Sequence, residues 1–553
     1  MSFRVGPWSA AATAALLLGF QLALQTHLSR VDSQTADEAV HLSAGYSYWE
    51  WRSLSLNPEH PPLVKLLAAA SVRFLHPKFP AIEHRERLDD FFYDSWFENR
   101  ALGEAFLYKA GNDADRLLWF GRLPATLLTL LLGASIFLVG ARFFGPLGGL
   151  LGTALYVFDP TIAAHGHLIT TDVAVSLGGV AVLAATWRFA HEPHVANAIL
   201  LGLACGLAAI AKFTAIIFLP IVLGVVVLRC GALGLVRRAP QLMVAGLVAW
   251  FMILAVYGFS LAVPPAVLSV STVVTTTNHH ALAVHPILDR TYSLLRYVAV
   301  PRAYFKGLML MLAHVTGGHD AFLLGARSQY GWWYYFPVVF VTKTPIPVLL
   351  LLVIAASVAA TRWREPARWY WIAAAGAYII LAMTSRADLG IRHLMPAQAF
   401  LFIGIGGLAE DLPTRRGLAM LTAGLLVWLI VGFARSGDQY LAYYNESVGD
   451  GGYRIAVDSN LDWGQDLKRI RTYLDRHPEI DRPYVEYPWD GPASLDYYGI
   501  RHMSSDAATP NASGVLIIST TMLWDPRWAF IRSLPIEDRV TPGVFVYRLP
   551  SVP

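Results

Sequence analysis

Charge is the first shortage in this chain. Asp, Glu, Lys and Arg make up 15% of its 553 residues, against about 25% in a soluble domain. Hydrophobic residues make up 55%, and mean hydropathy is +0.46. That balance excludes a water-soluble enzyme, a disordered chain and a coiled coil. Cysteine is almost missing: Cys205 and Cys230 are the only two. Both fall in or beside apolar segments, so no disulfide framework holds the extramembrane parts. Basic blocks are missing too, and the net charge is only +4, so no nucleic-acid partner is expected. No internal repeat or low-complexity segment is visible, which removes the support a repeat-based transporter would need.

Long apolar runs are what the chain has. Runs of roughly 18 or more residues recur, each long enough to cross a bilayer as a helix. About eleven spans are expected. They centre near Leu17, Leu130, Leu151, Val180, Leu203, Leu219, Leu254, Leu351, Ala375, Phe402 and Leu426. The first run follows Arg4 and lacks an A-x-A-like cleavage site, so it reads as a retained helix rather than a signal peptide. With a cytoplasmic N-terminus, the inner connections hold Arg142, Arg188, Arg229, Arg237, Arg238, Arg362, Arg364, Arg368, Arg415 and Arg416. That agrees with the positive-inside rule and places the C-terminus outside.

The expected organisation is a transmembrane domain over 1–435 and an outer tail over 436–553. The transmembrane domain carries a first outer loop at 27–116 and a second at 264–336. The tail reads as a small α/β domain, with strands at Tyr484–Tyr487 and Val515–Ser519. A helix is expected at Asp466–Arg476, where Leu467, Ile470 and Leu474 share a face.

Residues able to do chemistry gather on the outer side. The first loop opens with Asp37-Glu38 and His41, and an acid at that boundary can act as a general base. The plain alternative is a capped helix start. Further on, Glu59-His60-Pro61-Pro62-Leu63 precedes a short apolar helix with Leu63, Leu66, Leu67 and Ala70 on one face. It is expected to lie along the membrane surface. His165, His167 and Asp172 follow the third span, where ionisable groups are expensive and commonly mark a site. Asp172 could equally cap the next helix. Lys212 is a lone cation on the outer side and needs a negative partner, a carboxylate or a phosphate. Arg392 and His393 could hold phosphate oxygens. Arg386 could do so as well or pair with Asp388, and Lys343 could join the same set. The aromatic run Trp332-Trp333-Tyr334-Tyr335 reads as an interfacial anchor or a sugar-stacking surface.

His41, His60, His165 and His167 with Asp37 and Asp172 include metal-ligating residue types. No metalloenzyme signature accompanies them. No metal or other cofactor is expected to be required, with a divalent ion left as the alternative. In the tail, Asp458-Ser459-Asn460-Leu461-Asp462-Trp463-Gly464 begins like a calcium loop. Trp463 and Arg469 occupy the positions where such a loop needs Gly and Glu, so it reads as a turn capping a helix.

Taken together, Asp37-Glu38, the Glu59-His60-Pro61-Pro62-Leu63 helix, Thr171-Asp172, Lys212, Tyr443-Tyr444-Asn445-Glu446 and Val457–Asp466 carry a family resemblance. The chain resembles the lipid-carrier-dependent glycosyltransferases of the protein O-mannosyltransferase and aminoarabinose transferase superfamily, in a bacterial branch, across its whole length. The resemblance implies a GT-C fold and transfer of a monosaccharide, with inversion, from a polyprenyl phosphate to an acceptor hydroxyl on a glycan, lipid or protein. It implies a multi-pass protein of the cytoplasmic membrane with an extracytoplasmic active site. By that resemblance Asp37 is the general base, and Glu38 and Asp172 orient acceptor or sugar. Lys212, Arg386, Arg392 and His393 bind the lipid phosphate, and Glu59, His60, His41, His165 and His167 line the substrate site. The β-trefoil domain common in the mannosyltransferase branch has no counterpart here. The rival expectations are a transporter or flippase, or a binding subunit, for a lipid-linked sugar.

Overall fold

A computed structural model describes residues 6–81, 96–259, 300–488 and 491–550. Part of the expected first outer loop (82–95) and about half of the expected second (264–299) lie outside the described residues.

The protein is a multi-pass helical membrane protein. Each of the eleven expected span centres falls inside a helix. Among the described residues, seven helices are long and apolar enough to cross a membrane, or eight counting the pair Tyr335–Lys343 and Ile346–Thr361, which is bent by 111°. Others of the expected spans are shorter, such as Val195–Ala211 with 17 residues. The second and third expected spans form one continuous stretch, Ala114–Val157, broken at Phe144 and Gly145. Gly145 has φ +76° and Pro146 follows it, so a left-handed residue and a missing donor together turn the chain.

The helix at Ile391–Glu410 is the centre of the bundle, with 94% of its apolar window buried, whereas Pro7–Val31 has 17% buried and lies at the periphery. Small residues bring neighbours close to this central helix, as is usual between membrane helices. At Gly152 an added Cβ would lie 2.9 Å from the Phe402 carbonyl oxygen.

The first outer loop is largely helical, with helices at Ala36–Trp51, Leu63–Val72 and Trp96–Glu104. The first two cross at Gly45, where an added Cβ would sit 2.0 Å from the Lys65 carbonyl oxygen. The helix Leu63–Val72 turns Val64, Lys65, Ala68, Ala69 and Val72 inward. Leu67 and Ala70 of the expected apolar face are left on the outer surface, the placement a helix on a membrane surface requires.

The tail contains a five-stranded mixed sheet in the order Met503–Ser504, Tyr484–Glu486, Gly514–Ser519, Val544–Leu549, Asp538–Thr541. The first three strands run parallel and the last two pairings are antiparallel. The helix Leu467–Arg476 packs Leu467 and Ile470 onto one face through Val485, Ile517 and Val546.

Candidate active site

Asp37 lies in the first turn of Ala36–Trp51, preceded by backbone that the tail holds. Ser33 N–H donates to Gln465 O at 3.0 Å, and Ala36 N–H donates to Trp463 O at 2.9 Å. Ser33 Oγ donates to Gly464 O at 2.8 Å and accepts the Leu467 N–H at 3.0 Å. The segment leading into Asp37 is thus stitched to the tail.

Asp37 meets Arg392 across the chain, Oδ2 to Nη1 at 3.1 Å. Arg392 is buried, and its Nη1 also lies 3.6 Å from Asp172 Oδ2. Its Nε donates to Ser459 Oγ at 3.2 Å, and its guanidinium carbon sits 4.1 Å from the Trp463 ring centroid. Lys212 Nζ contacts Asp172 Oδ1 at 2.6 Å, with both side chains at or below 5% exposure. Two acids and two cations therefore form a chain, Asp37–Arg392–Asp172–Lys212. At this spacing, burial makes the attraction strong, and an uncompensated member would be costly.

Asp37, Arg392 and Lys212 line a cavity of about 320 Å³ together with Glu59, His60, His314, His319, His393, Asp458 and Trp463, and Asp172 pairs with both cations from behind its wall. Much of its remaining wall is apolar, with Ile216, Ile217, Leu310, Met311 and Leu381, and Arg100, Thr214, Thr384 and Ser385 add polar groups. One cavity therefore combines ionic groups with apolar side chains, a lining that suits a lipid with a charged headgroup.

His41 and His60 face each other with ring centroids 5.3 Å apart. His41 Nδ1 meets the Ile169 carbonyl at 2.6 Å, so Nδ1 donates and Nε2 keeps its lone pair. Burial, relieved in part by Asp37, lowers the His41 pKa below its ordinary value. Burial and then the His41, Lys212 and Lys65 charges lower that of His60 further. Asp37, His41 and His60 each offer one ligand atom, all within 4.8 Å of one another, a set able to hold a divalent ion. Lys65 is buried in the same neighbourhood, donating to Asn57 O at 2.5 Å and Oδ1 at 3.1 Å. Burial pushes its pKa down to about 7.

Several expected site residues do other work. Glu38 is fully buried and held by Arg122, with Nε–Oε1 at 2.8 Å and Nη2–Oε2 at 2.6 Å. It also accepts the N–H of Thr35 and of Ile169. Arg122 further donates to the carbonyls of Ser29, Asp32 and Ser33. Glu38 is thus a structural anchor beneath Asp37 and does not line the cavity, which departs from the orienting role expected of it. His167 bridges Gln25 Oε1 and Asp32 Oδ2, each at 3.1 Å. His165 is buried 6.1 Å from the Trp463 ring, and burial lowers its pKa to about 3. Both lie behind the site instead of in it. Arg386 is exposed, donating to Thr316 O at 3.2 Å. It does not pair with Asp388, whose Oδ2 accepts the Trp332 N–H at 2.7 Å. Lys343, at the sharp bend, donates to the carbonyls of Leu441 and Asn460. Asp37, Lys212, Arg392, Glu59, His60 and His393 do line the cavity, whereas Asp172 and His41 are not part of its wall.

The sequence reading missed Arg122, His314 and His319. It also missed the reach of the tail turn at Asp458–Trp463 into the cavity, although that turn stood out as a motif.

Residues 114–259 match the family described as dolichyl-phosphate-mannose-protein mannosyltransferase. Asp172 and Lys212 fall within that stretch, whereas Asp37 and Arg392 lie outside it. The fold is that of ArnT from Cupriavidus metallidurans. Its structure bound to undecaprenyl phosphate is 14% identical with a TM-score of 0.51, the match covering 97% of this chain and 98% of that one. Its apo structure is also 14% identical with a TM-score of 0.50, covering 98% and 99%. An oligosaccharyltransferase from Archaeoglobus fulgidus in the apo form is similar at 11% identity and a TM-score of 0.43, covering 97% of this chain and 74% of that one. No curated protein sequence matches the chain. The architecture is therefore of the GT-C type.

Proposed function

We propose that this protein is an inverting glycosyltransferase that moves a monosaccharide from a polyprenyl-phosphate carrier to an acceptor hydroxyl. The observation that carries the reading is one cavity whose lining joins an acid, Asp37, paired with Arg392, to a second buried cation, Lys212, and a largely apolar remainder. The match to a lipid-phosphate-sugar mannosyltransferase family and the fold shared with an undecaprenyl-phosphate-binding protein support it.

The chemistry follows from the residues. The prenyl chain lies along Ile216, Ile217, Leu310, Met311 and Leu381. Its phosphate binds at Lys212 and Arg392, with His393 beside them. Asp37 takes the proton of the acceptor hydroxyl as that oxygen bonds to the anomeric carbon. The bond from that carbon to the phosphate oxygen breaks, its electron pair leaving with the phosphate. Arg392 and Lys212 stabilise the charge that grows there. Because a phosphate monoester is a good leaving group, no general acid is needed. Asp172 holds both cations in place. The reaction is proposed to need no metal, although Asp37, His41 and His60 make a divalent ion a defined alternative.

The site is proposed to face outward from the cytoplasmic membrane, with the N-terminus inside. A transporter reading would place its polar groups at a broken helix near the midplane. The bend at Lys343–Ile346 instead has its lysine committed to tail carbonyls.

The test is release of free polyprenyl phosphate from a panel of polyprenyl-phosphate sugars by purified protein with crude envelope acceptors. Wild type is compared with Asp37→Asn, with and without chelator. Release by wild type alone establishes the transferase, and loss with chelator adds the metal. Carrier binding without release from any donor overturns the transferase in favour of a transporter or binding subunit.

A further inference from the structure

The tail reaches the cavity at Asp458. Its backbone has φ +61°, a left-handed conformation uncommon outside glycine. Such conformations persist where the surroundings over-determine them, and they cluster at functional sites. The surroundings here do so. The Asp458 N–H donates to Thr521 Oγ1 at 3.0 Å, and its carbonyl accepts from Leu461 and Asp462 at 2.8 and 3.1 Å. Next to it, Asn460 Oδ1 accepts the Ile391 N–H at 2.9 Å, and Asn460 Nδ2 donates to Tyr335 Oη at 2.9 Å. Ser459 Oγ donates to Leu389 O and accepts from Arg392. The turn is locked to the chain segment that carries Arg392.

A residue needed only to cap this turn has no reason to line a cavity, yet Asp458 lines the same one as Asp37 and Arg392. Its Oδ1 accepts the Ser459 N–H at 2.5 Å. Its Oδ2 has no hydrogen-bond partner among the described residues. Burial, with the nearby charge of Asp37, raises its pKa against the opposing pull of His319 and Arg392. An oxygen without a partner on the cavity wall is an acceptor open to a polar ligand.

The ligand follows from position. A sugar joined to a phosphate held at Arg392 and Lys212 must lie within about one ring width of Arg392. Asp458 borders that space on the side of the tail, and Asp37 borders it on the side of the first loop. A carboxyl oxygen can accept hydrogen bonds from sugar hydroxyls. We propose that Asp458 binds hydroxyl groups of the carrier-linked sugar, so that the tail forms one wall of the sugar subsite. This rests on the reading of the cavity as a site for a lipid-linked sugar.

The experiment measures dissociation constants of the full-length protein for bare undecaprenyl phosphate and for the same carrier bearing mannose, glucose or arabinose. Wild type should bind one sugar-bearing carrier about tenfold or more tightly than the bare carrier. Asp458→Gly removes the side chain while suiting the left-handed backbone. It should keep its melting midpoint and its affinity for bare carrier within twofold, and lose the sugar preference. Asp458→Asn, which retains a turn acceptor, should lose several-fold of it. A full sugar preference in both variants overturns the proposal. So does an equal loss of affinity for bare and sugar-bearing carriers, which would make Asp458 a support for the cations. A wild type that binds the bare carrier but shows no sugar preference also overturns it. A wild type that binds no carrier at all overturns the reading of the cavity itself, a distinct result.

Discussion

Arg392 lies over Trp463, guanidinium carbon to indole centroid 4.1 Å, and the backbone carbonyl of the same tryptophan holds the N–H of Ala36 beside Asp37. One tail residue thereby supports both the proposed base and its cationic neighbour. Trp463→Ala removes the platform but leaves the backbone bond. A cation–π contact of this kind is worth about 0.5–2 kcal/mol, so affinity for undecaprenyl phosphate should fall roughly threefold to thirtyfold. Trp463→Phe should recover most of it, because a phenyl face still attracts the guanidinium. Recovery distinguishes a platform from a space-filling side chain and is read by carrier titration.

Asp37→Asn should lower release of polyprenyl phosphate about 10²–10⁴-fold, the usual contribution of a general base. Donor affinity should change little, since Lys212 and Arg392 remain paired with Asp172. Single-turnover kinetics at saturating donor would show the loss in the chemical step. A change confined to donor affinity would remove Asp37 from the role of base.

Lys212→Met leaves Asp172 buried with Arg392 3.6 Å away as its remaining cation. Breaking a buried pair from one side costs about 3–5 kcal/mol, so a clear drop in melting midpoint is expected. Lys212→Met combined with Asp172→Asn should regain much of that stability and none of the activity. If activity returns with stability, the lysine serves the fold alone.

The Glu38–Arg122 pair predicts a pH dependence of stability. Burial alone would raise the Glu38 pKa, but the charge and hydrogen bonds of Arg122, with the Thr35 N–H, lower it below 4.5. A carboxyl with a depressed folded pKa contributes stability that is fully present above its unfolded value. That stability is lost as pH falls through 4.5 toward the folded pKa. The melting midpoint should therefore decline over that window in wild type. Glu38→Gln should start lower at pH 7 and decline less, as followed by thermal scans between pH 7 and pH 3.5.

Much of this was readable beforehand because membrane solvation forces long apolar helices and makes stray charges conspicuous. The eleven centres, the tail strands near Tyr484 and Val515, and the ionic residues Asp37, Asp172, Lys212 and Arg392 all stood out on that basis. Partnerships did not. Glu38 beside Asp37 looked like a second acid of the site, because its partner Arg122 lies 84 residues away inside an apolar helix. The face of Leu63–Val72 was legible as apolar, but hydropathy says nothing of whether lipid or protein covers it. Asp458 read as a turn, which it is. Its entry into the cavity depends on contacts with Ile391, Arg392 and Thr521 that no local pattern encodes.

The stitching of Ser33 to Gly464, 431 residues apart in the chain, sets an order of events during biosynthesis. The bundle helices and the first loop leave the ribosome long before the tail. Arg122 and Glu38 can hold residues 32–35 from within the bundle, but until Trp463–Leu467 emerge the backbone bonds to Ser33 and Ala36 and the platform under Arg392 are missing. The growing chain therefore sits in the membrane without a finished reaction centre. On the proposed function, a chain that stops before residue 463 is expected to be inert toward the carrier even where its bundle has folded.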